Sequence, residues 1–140
     1  MLKFVARAKS GISALPAAKK FENSAKSEPP QSALTPLTVR EITSSGGATF
    51  RPQPDGSFIA EGTNAKSDTY TFRCAAPAGS LTGVRLDALA EPSAKAKGPG
   101  RAGNGNFALS RIELEITQPG QAPVKLQFES AEATHQQNTG

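Results

Sequence analysis

The stretch Thr49-Phe50-Arg51-Pro52-Gln53-Pro54-Asp55-Gly56-Ser57-Phe58-Ile59-Ala60 sets the reading of the whole chain. Pro52 through Gly56 is turn chemistry. Asp-Gly tolerates positive φ at both positions, and two prolines forbid a helix through the segment. Residues 48–60 therefore read as a β-hairpin. On the N-terminal side, Leu37–Thr43 reads as a short strand and Ser44-Ser45-Gly46-Gly47 turns the chain.

Toward the C-terminus the period stays at two. Thr69–Ala75 sets Tyr70, Phe72 and Cys74 against Thr69, Thr71 and Arg73. Gly83–Ala90 alternates Val84, Leu86 and Ala88 with Arg85, Asp87 and Leu89. Phe107–Thr117 changes parity, Phe107 and Leu109 against Ile112, Leu114 and Ile116, which implies a bulge near Ser110. Pro119-Gly120 turns the chain, and Val124–Ser130 alternates again. About seven short strands with turns between them predict an all-β fold, an antiparallel, jelly-roll-like β-sandwich over residues 37–140.

Residues 1–36 read differently. Glu22 to Pro36 holds Pro29, Pro30 and Pro36 and little that can be buried, so it reads as a linker. The spacing of Leu2, Val5, Ala8 and Ile12 suits one or two turns of amphipathic helix in an otherwise flexible tail. Arg7 and Lys9 interrupt any apolar run there, which argues against a signal peptide. Six basic and two acidic residues among the first thirty carry the whole net charge of +4. The remainder is balanced, so the body lacks the basic surplus expected of a nucleic-acid-binding face.

Composition excludes several classes. Thirteen glycines and eleven prolines in 140 residues make a loop-rich chain, yet one below the roughly 25–30% that marks low-complexity disorder. No window approaches the ~18 apolar residues of a membrane-spanning helix. Cys74 is the sole cysteine, so an internal disulfide, a Cys-x-x-Cys metal pair and a Cys-x-x-Cys-His haem attachment are all impossible. Cys74 shares a parity with Tyr70 and Phe72 and reads as an inert core thiol. His135, the sole histidine, has no partner in recognisable spacing. The chain therefore reads as non-enzymatic, with no cofactor of its own.

The unusual segment is the Gly-rich loop Ala90–Asn106. Gly98-Pro99-Gly100-Arg101-Ala102-Gly103 matches G-x-G-x-x-G by letters only, because a strand follows where a dinucleotide site needs a helix. Arg101, Asn104 and Asn106 offer donors and acceptors suited to sugar hydroxyls, and Asp87 and Glu91 offer oxygen ligands for Ca²⁺. Equally, Arg101 could pin the loop through its own carbonyls, with the asparagines and glycines serving turns. A ligand site should leave those donors facing solvent, whereas a structural loop should consume them. Asp68-Thr69-Tyr70 admits the same pair of readings, a site or the cap of a turn.

The landmarks Gly46-Gly47-Ala48-Thr49, Pro54-Asp55-Gly56-Ser57, Asp68-Thr69-Tyr70-Thr71, Leu81–Leu89, Gly98-Pro99-Gly100-Arg101 and Asn104–Ser110 occur in an order similar to the β-sandwich region of planctomycete-type multidomain cytochrome c proteins. The resemblance runs from about Leu37 to His135. It implies a discoidin-like or galactose-binding-like accessory module of an exported protein, periplasmic or extracellular, with haem c carried elsewhere in a full-length relative. Polysaccharide or neighbouring domains of the parent are the partners it implies. In that family further strands follow the segment that Ala131–Gln137 resembles, which implies that this chain is a fragment.

Overall fold

The structure, a computed structural model, describes residues 2–11, 34–77, 79–94 and 96–136. They form nine strands and no helix: β1 (Leu2–Gly11), β2 (Thr35–Pro36), β3 (Val39–Ser44), β4 (Ala48–Pro52), β5 (Phe58–Gly62), β6 (Tyr70–Cys74), β7 (Ser80–Leu89), β8 (Leu114–Ile116) and β9 (Val124–Leu126). The fold is all-β, with antiparallel sheets. One sheet runs β2-β1-β5-β4, with β7 also paired to β1, and two smaller sheets are β3-β6 and β8-β9. Among the described residues no helix is long and apolar enough to cross a membrane.

The chain divides into two compact units. The first comprises, among described residues, 2–7, 36–76 and 86–109. Its centre is the β4–β5 hairpin, with Ala48 opposite Gly62 and Pro52 opposite Phe58. The turn forms as its sequence dictates. The Gly56 N–H donates to the Gln53 carbonyl at 3.0 Å and the Gln53 N–H to the Ser57 carbonyl at 2.8 Å. Gly56 takes φ +80°, which an L side chain adopts only with strain. Asp55 Oδ1 accepts from the Ser57 N–H at 3.0 Å and the Ser57 hydroxyl at 2.5 Å, and Ser57 is almost wholly buried. Ile59 and Ala60 on β5 are buried beside it. The β3-β6 pair meets this sheet through Phe50 and Tyr70, whose rings lie edge to face at 4.9 Å.

The second unit comprises, among described residues, 8–11, 34–35, 77, 79–85 and 110–136. Its β8-β9 pair sets Leu114 opposite Leu126 and Ile116 opposite Val124. Pro119 and Gly120 (φ +74°) make the intervening turn, closed by the Gln121 N–H on the Gln118 carbonyl at 3.0 Å. Glu113 pairs with both Arg111 (3.4 Å) and Lys125 (3.6 Å).

Three expectations change. Residues 2–11 are strand β1, not helical turns, and Leu2, Lys3 and Phe4 lie opposite Ala60, Ile59 and Phe58. The same residues also read at period two, Leu2, Phe4, Ala6 and Ala8 against Lys3, Val5, Arg7 and Lys9, with Val5 the one apolar residue on the charged parity. Sheet pairing decides between two periods that a short segment satisfies equally. The stretch assigned as linker ends in structure too: Leu34 is buried and Thr35–Pro36 is β2, while residues 12–33 lie outside the described residues. Finally, Phe107–Thr117 is not one bulged strand. Only Leu114–Ile116 pairs, and Phe107, Leu109 and Ile112 are exposed by 43%, 55% and 43%. The parity change falls where extended pairing is absent.

Candidate functional site

The Gly-rich loop lies wholly in the first unit. Turns close it from its root. The Ala94 N–H donates to the Glu91 carbonyl and the Lys97 N–H to the Ala94 carbonyl, each at 2.9 Å. Its tip folds back on itself: the Gly100 N–H donates to the Gly105 carbonyl at 2.7 Å and the Gly105 N–H to the Ala102 carbonyl at 2.8 Å. The two limbs approach so closely that a Cβ on Gly98 or Gly100 would overlap the backbone of Gly105 or Asn106. Glycine is required there for close approach, not for torsional freedom.

Arg101 decides the character of the loop. Its Nη1 donates to the Thr63 carbonyl at 2.9 Å and its Nη2 to the Gly62 carbonyl at 2.6 Å. In return its own carbonyl accepts from Asn64 Nδ2 at 3.1 Å. The guanidinium fork thus ties the loop to the end of β5. Asn104 Oδ1 accepts from the Asn106 N–H at 3.1 Å, a local turn that uses its acceptor internally. Arg101 is half-buried, and Asn104 and Asn106 are exposed.

The carboxylates at the loop's root are placed separately. Asp87 lies on β7 and is half-buried. Glu91 Oε1 accepts from the Ser93 N–H at 3.2 Å and the Ser93 hydroxyl at 2.8 Å. Among the described residues no three His, Cys, Asp or Glu side chains come together as a metal-binding group.

A second polar cluster joins β3, β4 and β6. Asp68 accepts from the Ser44 hydroxyl at 2.6 Å, the Gly46 N–H at 2.7 Å and the Ser45 hydroxyl at 3.2 Å. Ser44 Oγ accepts in turn from the Ala48 N–H at 2.9 Å and the Gly46 N–H at 3.2 Å. Burial pushes the Asp68 carboxyl up, but the hydrogen bonds from Ser44, Gly46, Ser45 and Thr69 outweigh it and hold the group below its ordinary value. Asp68 is the cap of the corner where the chain leaves β3 for β4. Gly46 is needed there, because a Cβ would sit 2.8 Å from both Ala65 and the Asp68 carboxyl group.

Cys74 is half-buried opposite Val39, and burial raises its thiol above the ordinary value. His135 is exposed.

A third feature escaped sequence reasoning. An open groove of about 470 Å³ is lined by β3, by Ala48–Phe50 of β4 and by Phe58 of β5. No periodicity announces it, because it brings together residues of three strands. No protein-family model, curated protein or solved structure matches this chain. The likeness to the cytochrome c proteins rests on sequence landmarks alone.

Proposed function

We propose that the chain is a non-catalytic β-module, a structural or docking part of a larger exported protein of the multidomain cytochrome c type, with its Gly-rich loop acting as a clasp. The observation that carries this reading is the engagement of the Arg101 guanidinium by the carbonyls of Gly62 and Thr63. A fork spent on its own backbone is not presented to a sugar. The close approach of Gly98 and Gly100 to the opposite limb supports the same reading, since it leaves no cradle between the limbs. The non-catalytic part draws support from Cys74, whose raised pKa keeps it a thiol rather than a nucleophilic thiolate. The parentage draws on the order of sequence landmarks from Gly46 to Ser110.

Thermal unfolding and glycan-array binding of wild type, Arg101→Ala and Arg101→Lys test the reading. Two charge-assisted hydrogen bonds on a half-exposed group contribute about 1–2 kcal/mol. The melting temperature should fall in Arg101→Ala. Arg101→Lys should recover little, because an ammonium cannot span two carbonyls as a planar fork does. Wild type should bind no glycan. Glycan binding that vanishes in Arg101→Ala, with an unchanged melt, would establish polysaccharide recognition through Arg101, Asn104 and Asn106 instead.

A further inference from the structure

We propose that the chain pairs with a second copy of itself, antiparallel, through residues 110–114 about a two-fold axis at Ile112, so that two β8-β9 pairs join into one four-stranded sheet. The segment lies within the second unit, and the inference is independent of the role of the Gly-rich loop.

The segment is extended chain with an open edge. Residues 110–113 are all exposed, and from Ser110 to Gln118 the chain makes no turn or bend. Among the described residues β8 pairs with β9 alone, and the main chain of 110–113 takes part in no hydrogen bond. Neither proline nor glycine interrupts residues 110–116, so no missing donor blocks pairing there. A strand with one neighbour turns the N–H and C=O of alternate residues to its open side, which is a template for a further strand.

The β8-β9 pair is also incomplete as a sheet. Leu114, Ile116, Val124 and Leu126 share one face, yet Val124 is 56% exposed, and Ile112, next on the same parity, is 43% exposed. Two strands alone are marginal in water, whereas three or more with a common apolar face are stable.

Charge identifies the missing neighbour. Residues directly opposite in an antiparallel pair lie on the same face. With the axis at Ile112, Arg111 of each copy faces Glu113 of the other, Ser110 faces Leu114, and Ile112 faces its own counterpart. Arg111 and Glu113 of one chain already attract at 3.4 Å. Across the axis the same two residues recur in reverse order, so the four charges form a checkerboard in which every neighbour has the opposite sign. Neither this ion pair nor the one from Glu113 to Lys125 has to break. Moving the axis by one residue sets Arg111 against Arg111 or Glu113 against Glu113, which is destabilising. The segment is therefore complementary to its own reverse in one register. On the opposite face Ile112 meets Ile112, and the apolar surface of β8-β9 continues across the axis.

Sedimentation velocity of the full chain over a concentration series is the test, with Arg111→Glu, Glu113→Arg and their equimolar mixture beside wild type. Wild type should show a monomer–dimer equilibrium. Either variant alone sets like charges opposite each other twice and should weaken association about tenfold. The mixture should recover it, because each variant supplies the charges the other lacks. Cross-linking reads the register. In a Cys74→Ser background, Ile112→Cys should form a disulfide between copies under mild oxidation, since directly opposed residues fall within disulfide reach. Ser110→Cys should not, because its counterpart lies ~13 Å along the strand. A wild type with an intact melt that stays monomeric up to about 1 mM would overturn the proposal. So would single variants that associate like wild type, a mixture no tighter than its components, or cross-linking at position 110 rather than 112.

Discussion

Replacing Asp68 with asparagine should destabilise the protein almost as much as replacing it with alanine, although asparagine is nearly isosteric. Every partner of the carboxylate is a donor. Ser44 Oγ already accepts from Ala48 and Gly46, so its own proton is committed to Asp68 Oδ2. On the other side, Asp68 Oδ1 faces the Gly46 N–H and the Ser45 hydroxyl. An amide turned either way sets its NH₂ against a donor. Removing an acceptor from charged hydrogen bonds costs about 1–3 kcal/mol, so each variant should lose about 2 kcal/mol, or roughly 4–10 °C in Tm. Urea unfolding followed by circular dichroism at neutral pH measures the loss.

The pH dependence gives an independent check. A carboxyl whose folded pKa is depressed contributes stability that is full above its unfolded value, about 3.9, and is lost as pH falls through the lower folded value. The gap between wild type and Asp68→Asn should therefore be constant near neutrality and narrow below about pH 4. An Asp68→Asn protein within 0.5 kcal/mol of wild type (roughly the noise of surface substitutions), or a gap that ignores pH, would refute the network.

Other consequences are simpler to read. Gly100→Ala should open the loop, because its Cβ would overlap the Asn106 backbone, and limited proteolysis should then cut between residues 98 and 106. Ser57→Ala removes a buried hydroxyl bonded to Asp55 and should cost about 1 kcal/mol in urea unfolding. Arg51→Ala breaks an exposed pair with Glu61 at 2.7 Å and should change stability little in urea unfolding, with the difference shrinking further in high salt. Cys74 should react with iodoacetamide at pH 8 more slowly in the folded protein than after unfolding, since burial raises its pKa.

What could be read in the sequence was what is local. Asp55-Gly56 specifies its turn within five residues, and the β4–β5 register follows. The same holds for Pro119-Gly120 and for the alternation of Tyr70, Phe72 and Cys74. The polar contacts that define the candidate sites are not local. Ser44 meets Asp68 across 24 positions, and Arg101 meets Gly62 across 39. Sequence could offer a pinned loop or a ligand loop for Arg101, but only the position of β5 shows which carbonyls lie within reach. Segments that fit two patterns were misjudged for the same reason. Residues 2–11 satisfy both a helical and a strand spacing, and residues 107–113 carry strand-forming side chains without a paired neighbour.

The two ties that hold the first unit's periphery differ in what can undo them. The strap from Arg101 ends on the backbone carbonyls of Gly62 and Thr63, so a change of side chain at position 101 is what releases it. The knot at Asp68 is a carboxylate and slackens on protonation. In an acidifying medium the bend joining β3 to β4 should therefore loosen.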